Sequence, residues 1–374
     1  MKKVLFLVNH DVTIYNFRYE LVETLVNKGY DVYISSPNGD RIKFLTDIGC
    51  KFIETDVSRH GTNPVTDFKL FVKYLKIMKS IKPDVVISYT IKPNIYGGMA
   101  AAMRGIPFFP NVTGLGVAVN NKGVARNIIL TLYKLAFRKA ACVFFQNSEN
   151  RKFFEDNKLY KGVYKVIPGS GVNIEKFIPL EYPDKERVDF VYISRIMKDK
   201  GIEEYFECAE YIEAKYKNVK FHICGFCEDN YEERLKDFVR RGIVEYHGMV
   251  SDVRTILKEC SALIHPSYHE GMSNVLLEAS ACARPCLCSD IAGCKEIVAD
   301  NETGFLFKPG DVESLINAVE KFLNLTCAQR KEMGVYARRK VEKEFDRQIV
   351  IDAYLSEINK VARKHIIKKE GVTI

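Results

Sequence analysis

Residues 269–278, HEGMSNVLLE, set two carboxylates, Glu270 and Glu278, around a glycine and two helix-capping residue types. Gly271 lets backbone amides come close to a ligand. Ser273 or Asn274 can cap the helix that follows, whose positive end favours an anion. Glu278 falls one turn beyond Asn274 on the same helix face, where a carboxylate can accept two hydrogen bonds from a vicinal diol such as a ribose. Glu270, at the start of the turn, would reach the next part of the same ligand. The spacing also fits a solvated stripe on an amphipathic helix, and the pattern alone does not choose between the two.

A second pair of charges sits in YISRIMKDKG, residues 192–201. Arg195 leaves one strand and Lys200 precedes Gly201 and the next helix. Two cations beside a helix start can hold a diphosphate, although ordinary surface charges have the same look. Other chemistries are weaker. The chain has eleven cysteines, scattered and odd in number. Cys224 and Cys227 form a single CxxC, Cys286 and Cys288 a CxC, and no second CxxC stands at zinc spacing, so they read as structural thiols. No Asp-x-Asp ends a strand to hold a metal, and GLGVAVNN lacks the third glycine of a dinucleotide fingerprint.

The 374 residues, 47 % apolar and 28 % charged, suit two folded domains. The net charge is +8. Much of the excess lies in residues 122–139 and 360–369, interleaved with apolar side chains. Such segments suit an anionic membrane surface better than nucleic acid. The first apolar run is too short for a secretion signal, and no run reaches membrane-spanning length, so a cytoplasmic location is expected.

The elements that must position these residues alternate. Strands are expected at 4–8, 30–37, 51–57, 84–90 and 106–113, with helices at 16–28, 40–48, 68–81 and 94–104. A Pro-rich linker spans 167–187. The pattern then restarts with strands at 189–195, 219–226, 243–248 and 261–267 and helices at 202–216, 231–240, 252–259 and 274–283. This is an α/β chain with two parallel sheets. In such sheets ligands bind beyond the carboxyl ends of the strands. That rule selects Asn9, His10, Arg59, His60, Thr90, Ile91, Lys92, residues 113–116, Arg195, Gly225, His247, Gly248 and residues 265–274, and domains presenting these loops to each other would form a cleft.

The motif Glu-x7-Glu within HPSYHEGMSNVLLE resembles the signature of the family 4 retaining glycosyltransferases, and other motifs follow in the family's order. Arg195, Lys200 and Gly201 match its Arg…Lys-Gly. GSGVNIEKF (169–177) is similar to its interdomain motif, and GCKEIVADNETGFLF (293–307) to its C-terminal one. IYNFR, SRxxxNP, KPN and GLG in the first half are similar to bacterial N-acetylgalactosaminyltransferases acting on polyprenyl-diphosphate-linked sugars. The loop NHDVTIYNF departs from many members in having no glycine.

The resemblance implies the GT-B fold, two Rossmann-like domains with parallel sheets facing across a cleft. Residues 1–175 would form the acceptor-side domain and 176–344 the nucleotide-sugar domain, with a helix over 345–374 packing back on the first. It implies a UDP-sugar donor, with UDP-N-acetylgalactosamine the first choice, held without a metal or other cofactor. Glu278 would hold the ribose, and Arg195 and Lys200 the diphosphate. Amides of Gly271, Met272, Ser273 and Asn274 would face the phosphates and sugar, Glu270 the sugar hydroxyls, and the loop of His247 the base. Glu270, Arg195 and Lys200 are then the catalytic set. Asn9, His10, Arg59, Lys92, Thr113, Gly114 and Gly116 would meet a polyprenyl-diphosphate-linked acceptor presented at a membrane. A nucleotide-sugar epimerase of the same architecture and a silent nucleotide-sugar-binding protein are the alternatives.

Overall fold

The computed structural model describes residues 2–57, 63–114 and 123–370. They separate into two compact units, one holding the described residues through Ser170 and from Gln348 onward, the other Gly171–Arg347.

The first unit is built on strands β1 (Lys3–Leu7), β2 (Asp31–Ser36), β3 (Lys51–Glu54), β4 (Val85–Tyr89), β5 (Phe108–Val112), β6 (Val143–Phe145) and β7 (Tyr164–Val166). Their order is β3-β2-β1-β4-β5-β6-β7, and every neighbouring pair is parallel. Because side chains alternate along a strand, Val4 and Phe6 enter one core while Leu5 and Leu7 enter the other. The first core is covered by the helices Asp11–Asn27 and Arg347–Glu370, through Ile14, Leu21, Tyr354 and Ile358. The second is covered by Pro64–Ile81, Gly98–Arg104 and Val124–Phe137. Burial on both faces is why these strands read as continuous apolar runs.

The second unit holds β8 (Val188–Ile193), β9 (Val219–Cys224), β10 (Val244–Tyr246), β11 (Ala262–His265), β12 (Cys286–Ser289) and β13 (Gly304–Phe307), in the order β10-β9-β8-β11-β12-β13. This repeats the order of the first six strands of the first unit. In each sheet the winding reverses between the first and fourth strands, β1 and β4 or β8 and β11, the place where α/β sheets bind ligands.

Several local details differ from the sequence expectation. The first helix begins at Asp11, not residue 16, because the His10 side chain accepts the Val12 amide and caps it. The helix expected over 94–104 opens with a π-helical turn, Pro93–Gly97. The basic stretch near residue 130 is partly buried and partly exposed. Tyr133, Ala136 and Phe137 pack in the core, while Ile128 and Leu135 are exposed. All eleven cysteines are free thiols. No described helix is long and apolar enough to cross a membrane.

Candidate active site

Strands β8 and β11 are hydrogen-bonded neighbours at the reversal point of the second sheet. The chain leaving β8 passes Arg195, makes a 3-10 turn over Lys198–Lys200 and enters the helix Ile202–Lys215 through Gly201. Gly201 has φ +71°, and a Cβ there would lie 2.0 Å from the Pro266 carbonyl oxygen. Only glycine allows that approach, and it brings Lys200 against the segment leaving β11.

Lys200 Nζ donates to Glu270 Oε1 at 2.6 Å, with Ser267 Oγ at 3.5 Å. His265 Nε2 is 3.0 Å from the same Glu270 oxygen and 3.1 Å from Ser273 Oγ. Burial alone raises the Glu270 pKa, but the His265 hydrogen bond and charge, followed by Lys200, outweigh it and bring it down to about 2. The carboxylate is therefore ionised at any physiological pH. Its second oxygen, Oε2, has no hydrogen-bond partner among the described residues.

Ser273 occupies the cap position of the helix Asn274–Ala281, but its side chain makes no capping bond. It turns to His265 instead, which corrects the capping role expected of it. The turn is held from the other side. Ser273 N donates to Gly293 O at 2.9 Å, and Gly293 N donates to Glu296 Oε2 at 2.7 Å. Gly293 has φ +82°, and a Cβ there would stand 2.7 Å from Gly271 O. Met272 is buried beneath the turn. A helix start leaves its first-turn amides without intrahelical acceptors.

Glu278 lies on this helix, half-buried. Desolvation raises its pKa to about 7, against lowering by Arg347 and Lys176, and Asp252 adds to the rise. No hydrogen bond or ion pair satisfies its carboxylate among the described residues. Arg195 is exposed and ion-paired with Glu228. His247 follows β10 and lies 3.0 Å from His222 through ring nitrogens. The adjoining Gly248 accepts the Gly225 amide at 2.8 Å.

In the first unit Asn9 and His10 follow β1, Lys92 follows β4, and Thr113 and Gly114 follow β5. Arg59 and Gly116 lie outside the described residues. The His10 ring uses Nδ1 locally, 3.0 Å from the Val12 amide and 2.7 Å from an Asp11 oxygen. Lys92 Nζ donates to Asp67 Oδ1 at 2.8 Å, and Tyr96 Oη donates to Asp67 Oδ2 at 3.0 Å. Thr90, directly after β4, has φ +70°, and its buried Oγ1 has no partner among the described residues. Asn94 of the KPN motif is structural. It accepts from Ser88 Oγ at 2.6 Å and donates to Asn111 O at 2.8 Å, tying β4 to β5. Asp67, a polar helix position, carries no mark in the sequence, and His265 falls among the strand-end residues 265–274 but has no role assigned to it there.

Residues 174–340 match the family described as glycosyl transferases group 1, and residues 3–147 match the glycosyl transferase 4-like family. With glycosyltransferase models matching both halves and two parallel sheets of this order, the chain is a glycosyltransferase of the GT-B fold. It is 28 % identical to the N,N'-diacetylbacillosaminyl-diphospho-undecaprenol alpha-1,3-N-acetylgalactosaminyltransferase of Campylobacter jejuni, over 96 % of this chain and 98 % of that one. A glycosyltransferase structure from Rickettsia africae superposes with a TM-score of 0.79 at 17 % identity, covering 96 % and 98 % of the two chains. Anabaena HepE in complex with UDP and glucose superposes with a TM-score of 0.78 at 16 % identity, covering 96 % and 100 %.

Proposed function

We propose that this enzyme is a retaining, metal-independent hexosyltransferase. It moves a hexose or N-acetylhexosamine from a UDP-sugar, with UDP-N-acetylgalactosamine the first donor to test, to a polyprenyl-diphosphate-linked sugar in bacterial glycan assembly. The observation that carries this reading is Glu270. One of its oxygens is held by Lys200 and His265 and the other has no partner among the described residues, at the turn that opens the helix carrying Glu278. The acceptor and sugar are suggested by the Campylobacter relative, and the nucleotide by the UDP in HepE.

Glu278 accepts the ribose hydroxyls, and Glu270 Oε2 accepts a sugar hydroxyl. The lysine ammonium has three donors. Lys200 gives one to Glu270 and keeps at least one for a phosphate. Arg195 exchanges Glu228 for a second phosphate contact, and the amides of Met272 and Asn274 complete the anion's surroundings, the Ser273 amide being held by Gly293 O. The His247 loop lies beside the base. As the bond from the sugar's C1 to the phosphate oxygen breaks, its electron pair goes to the leaving diphosphate, whose growing charge these donors stabilise. The acceptor hydroxyl attacks on the same face and its proton passes to the leaving phosphate. Trapping a covalent glycosyl group on Glu270 would overturn this step.

Asn9, His10, Arg59, Lys92, Thr113, Gly114 and Gly116 are assigned to the acceptor. Exposed Ile128 and Leu135, with exposed Lys134, Arg138 and Lys139 nearby, support a peripheral seat on an anionic membrane. The test is UDP release from a panel of UDP-sugars in EDTA, with and without a polyprenyl-diphosphate-linked sugar. Acceptor-dependent release from one donor, lost in Glu278→Ala, is expected. Release that requires a divalent ion, or none with any donor, rejects the proposal.

A further inference from the structure

Outside the residues facing the donor phosphates, the second sheet carries a compact group of ligating side chains at its edge. His222 on β9 is the register partner of Glu245 on β10, and His247 follows one residue after β10. All three lie on one face of the sheet, because residues two apart on a strand share a face. One ligand atom from each, the two imidazole nitrogens and a Glu245 oxygen, lies within 4.8 Å of the others. His222 Nδ1 is 3.0 Å from His247 Nε2 and 3.6 Å from Glu245 Oε2.

We propose that His222, Glu245 and His247 form a site for a borderline divalent transition-metal ion such as Zn2+, one that takes no part in bond transfer although His247 also belongs to the loop assigned to the base. Three observations converge. Two of the three ligand separations, 3.0 and 3.6 Å, bracket the roughly 3.3–3.4 Å between ligands of a tetrahedral ion bonded at about 2.0–2.1 Å, and the third lies within 4.8 Å. The second is the arrangement behind His222. Its Nε2 lies 3.1 Å from Asp189 Oδ1, on a buried carboxylate also held by Lys185 and Arg187. A carboxylate that takes the far N–H of an imidazole fixes the tautomer and directs the other lone pair outward, as in carboxylate–histidine–metal sites. The third is access. His222 is buried, whereas Glu245 and His247 are exposed, so an ion can enter from solvent and keep a fourth, water-filled position.

Without an ion, one proton lies between the two imidazoles. His247 Nε2–H donates to the His222 Nδ1 lone pair, the only arrangement of neutral rings consistent with Asp189 on the other side. An ion replaces that proton, and His247 shifts its hydrogen to Nδ1, so binding to neutral rings releases none. Lys220 Nζ competes for the other Glu245 oxygen, Oε1, at 3.8 Å, which leaves Oε2 for the ion.

The test uses the full chain, stripped with a chelator and dialysed against Zn2+, with Co2+ as a spectroscopic probe. One Zn2+ per chain is expected, and a Co2+ spectrum without thiolate charge transfer. His247→Asn and Glu245→Gln, both at exposed positions, should each weaken binding by about tenfold or more while leaving the circular dichroism spectrum unchanged. His222→Gln should abolish it. Replacing Cys227 and Cys327, the two cysteines not fully buried, with serine should leave it intact. No stoichiometric binding, binding indifferent to His247→Asn and Glu245→Gln, or binding lost with the two cysteines overturns the assignment.

Discussion

The two units repeat one strand order and differ in what they leave unsatisfied where the winding reverses. Beside β8 and β11, Glu270 has one oxygen engaged and one without a partner, and Glu278 has no partner among the described residues. Beside β1 and β4, Lys92 is already paired with Asp67, and Asp11 accepts the Arg41 amide. An unmatched buried carboxylate costs stability unless a ligand completes it. The second unit therefore carries the features of a receptor assembled before its ligand arrives. In the first, an anion that recruits Lys92 must share it with Asp67, so binding gains only the difference between two ion pairs.

That contrast is most sharply tested by charge removal at equal shape. Glu270→Gln loses the anchor of Lys200 and the acceptor for a sugar hydroxyl, and turnover is expected to fall by about 10²–10³, the scale of losing one preorganised polar contact at a reacting centre. Lys92→Met should cost roughly tenfold or less, mainly in the KM for the acceptor, because its charge is largely spent on Asp67. Steady-state kinetics with both substrates varied decides this. Equal losses in the two variants would remove the distinction between the units.

Backbone packing provides the next comparison. Gly201 and Gly105 both hold positive φ, +71° and +66°, each at a helix end. A Cβ on Gly201 meets the Pro266 oxygen at 2.0 Å, whereas one on Gly105 meets nothing within 4 Å. Gly105→Ala should therefore cost only the conformational strain, about 1 kcal/mol. Gly201→Ala should cost about 3 kcal/mol or displace Lys200 from Glu270. Urea unfolding of each variant, followed by UDP titration, separates the outcomes. Similar stability and affinity in both would show that the close approach at Pro266 does not hold the site together.

What the sequence disclosed follows from range. Alternating strands and helices, glycines after helices and the loops at strand ends are local, and they led to Arg195, Lys200, Glu270 and Glu278. The contact of Lys200 with Glu270 spans 70 positions and depends on how closely Gly201 seats on Pro266, which no local pattern encodes. His265 looks like the apolar strand it ends, and Asp67 like the solvated side of a helix, until the fold brings each to its partner. The start of the first helix was hidden because histidine is an uncommon cap. Glu278 was ambiguous by spacing, and its unsatisfied, half-buried carboxylate is what separates it from a solvated stripe.

The smallest expected effects concern that carboxylate. Its folded-state pKa is about 7, raised by desolvation from an ordinary 4.5. A raised carboxyl pKa means the protonated form is favoured in the fold, so this stability is complete below the unfolded value and is lost as pH rises through 7. Glu278→Gln should thus be more stable than the native chain at pH 8, by on the order of 1 kcal/mol after allowance for partial solvent access, and nearly equal to it at pH 5. Donor binding has the opposite slope. Ribose hydroxyls need the ionised carboxylate, so affinity for a UDP-sugar should fall below pH 7 by up to about tenfold per unit until the ordinary carboxyl range is reached. A UDP-sugar is the right probe because its diphosphate diester does not titrate in this window, whereas the terminal phosphate of UDP does. In Glu278→Gln the affinity should be lower at pH 8 and flat with pH. If the native chain gave the same flat profile, its carboxylate would not be where the donor loses its water, and the ribose assignment would fall while the Glu270 and Lys200 contacts stood.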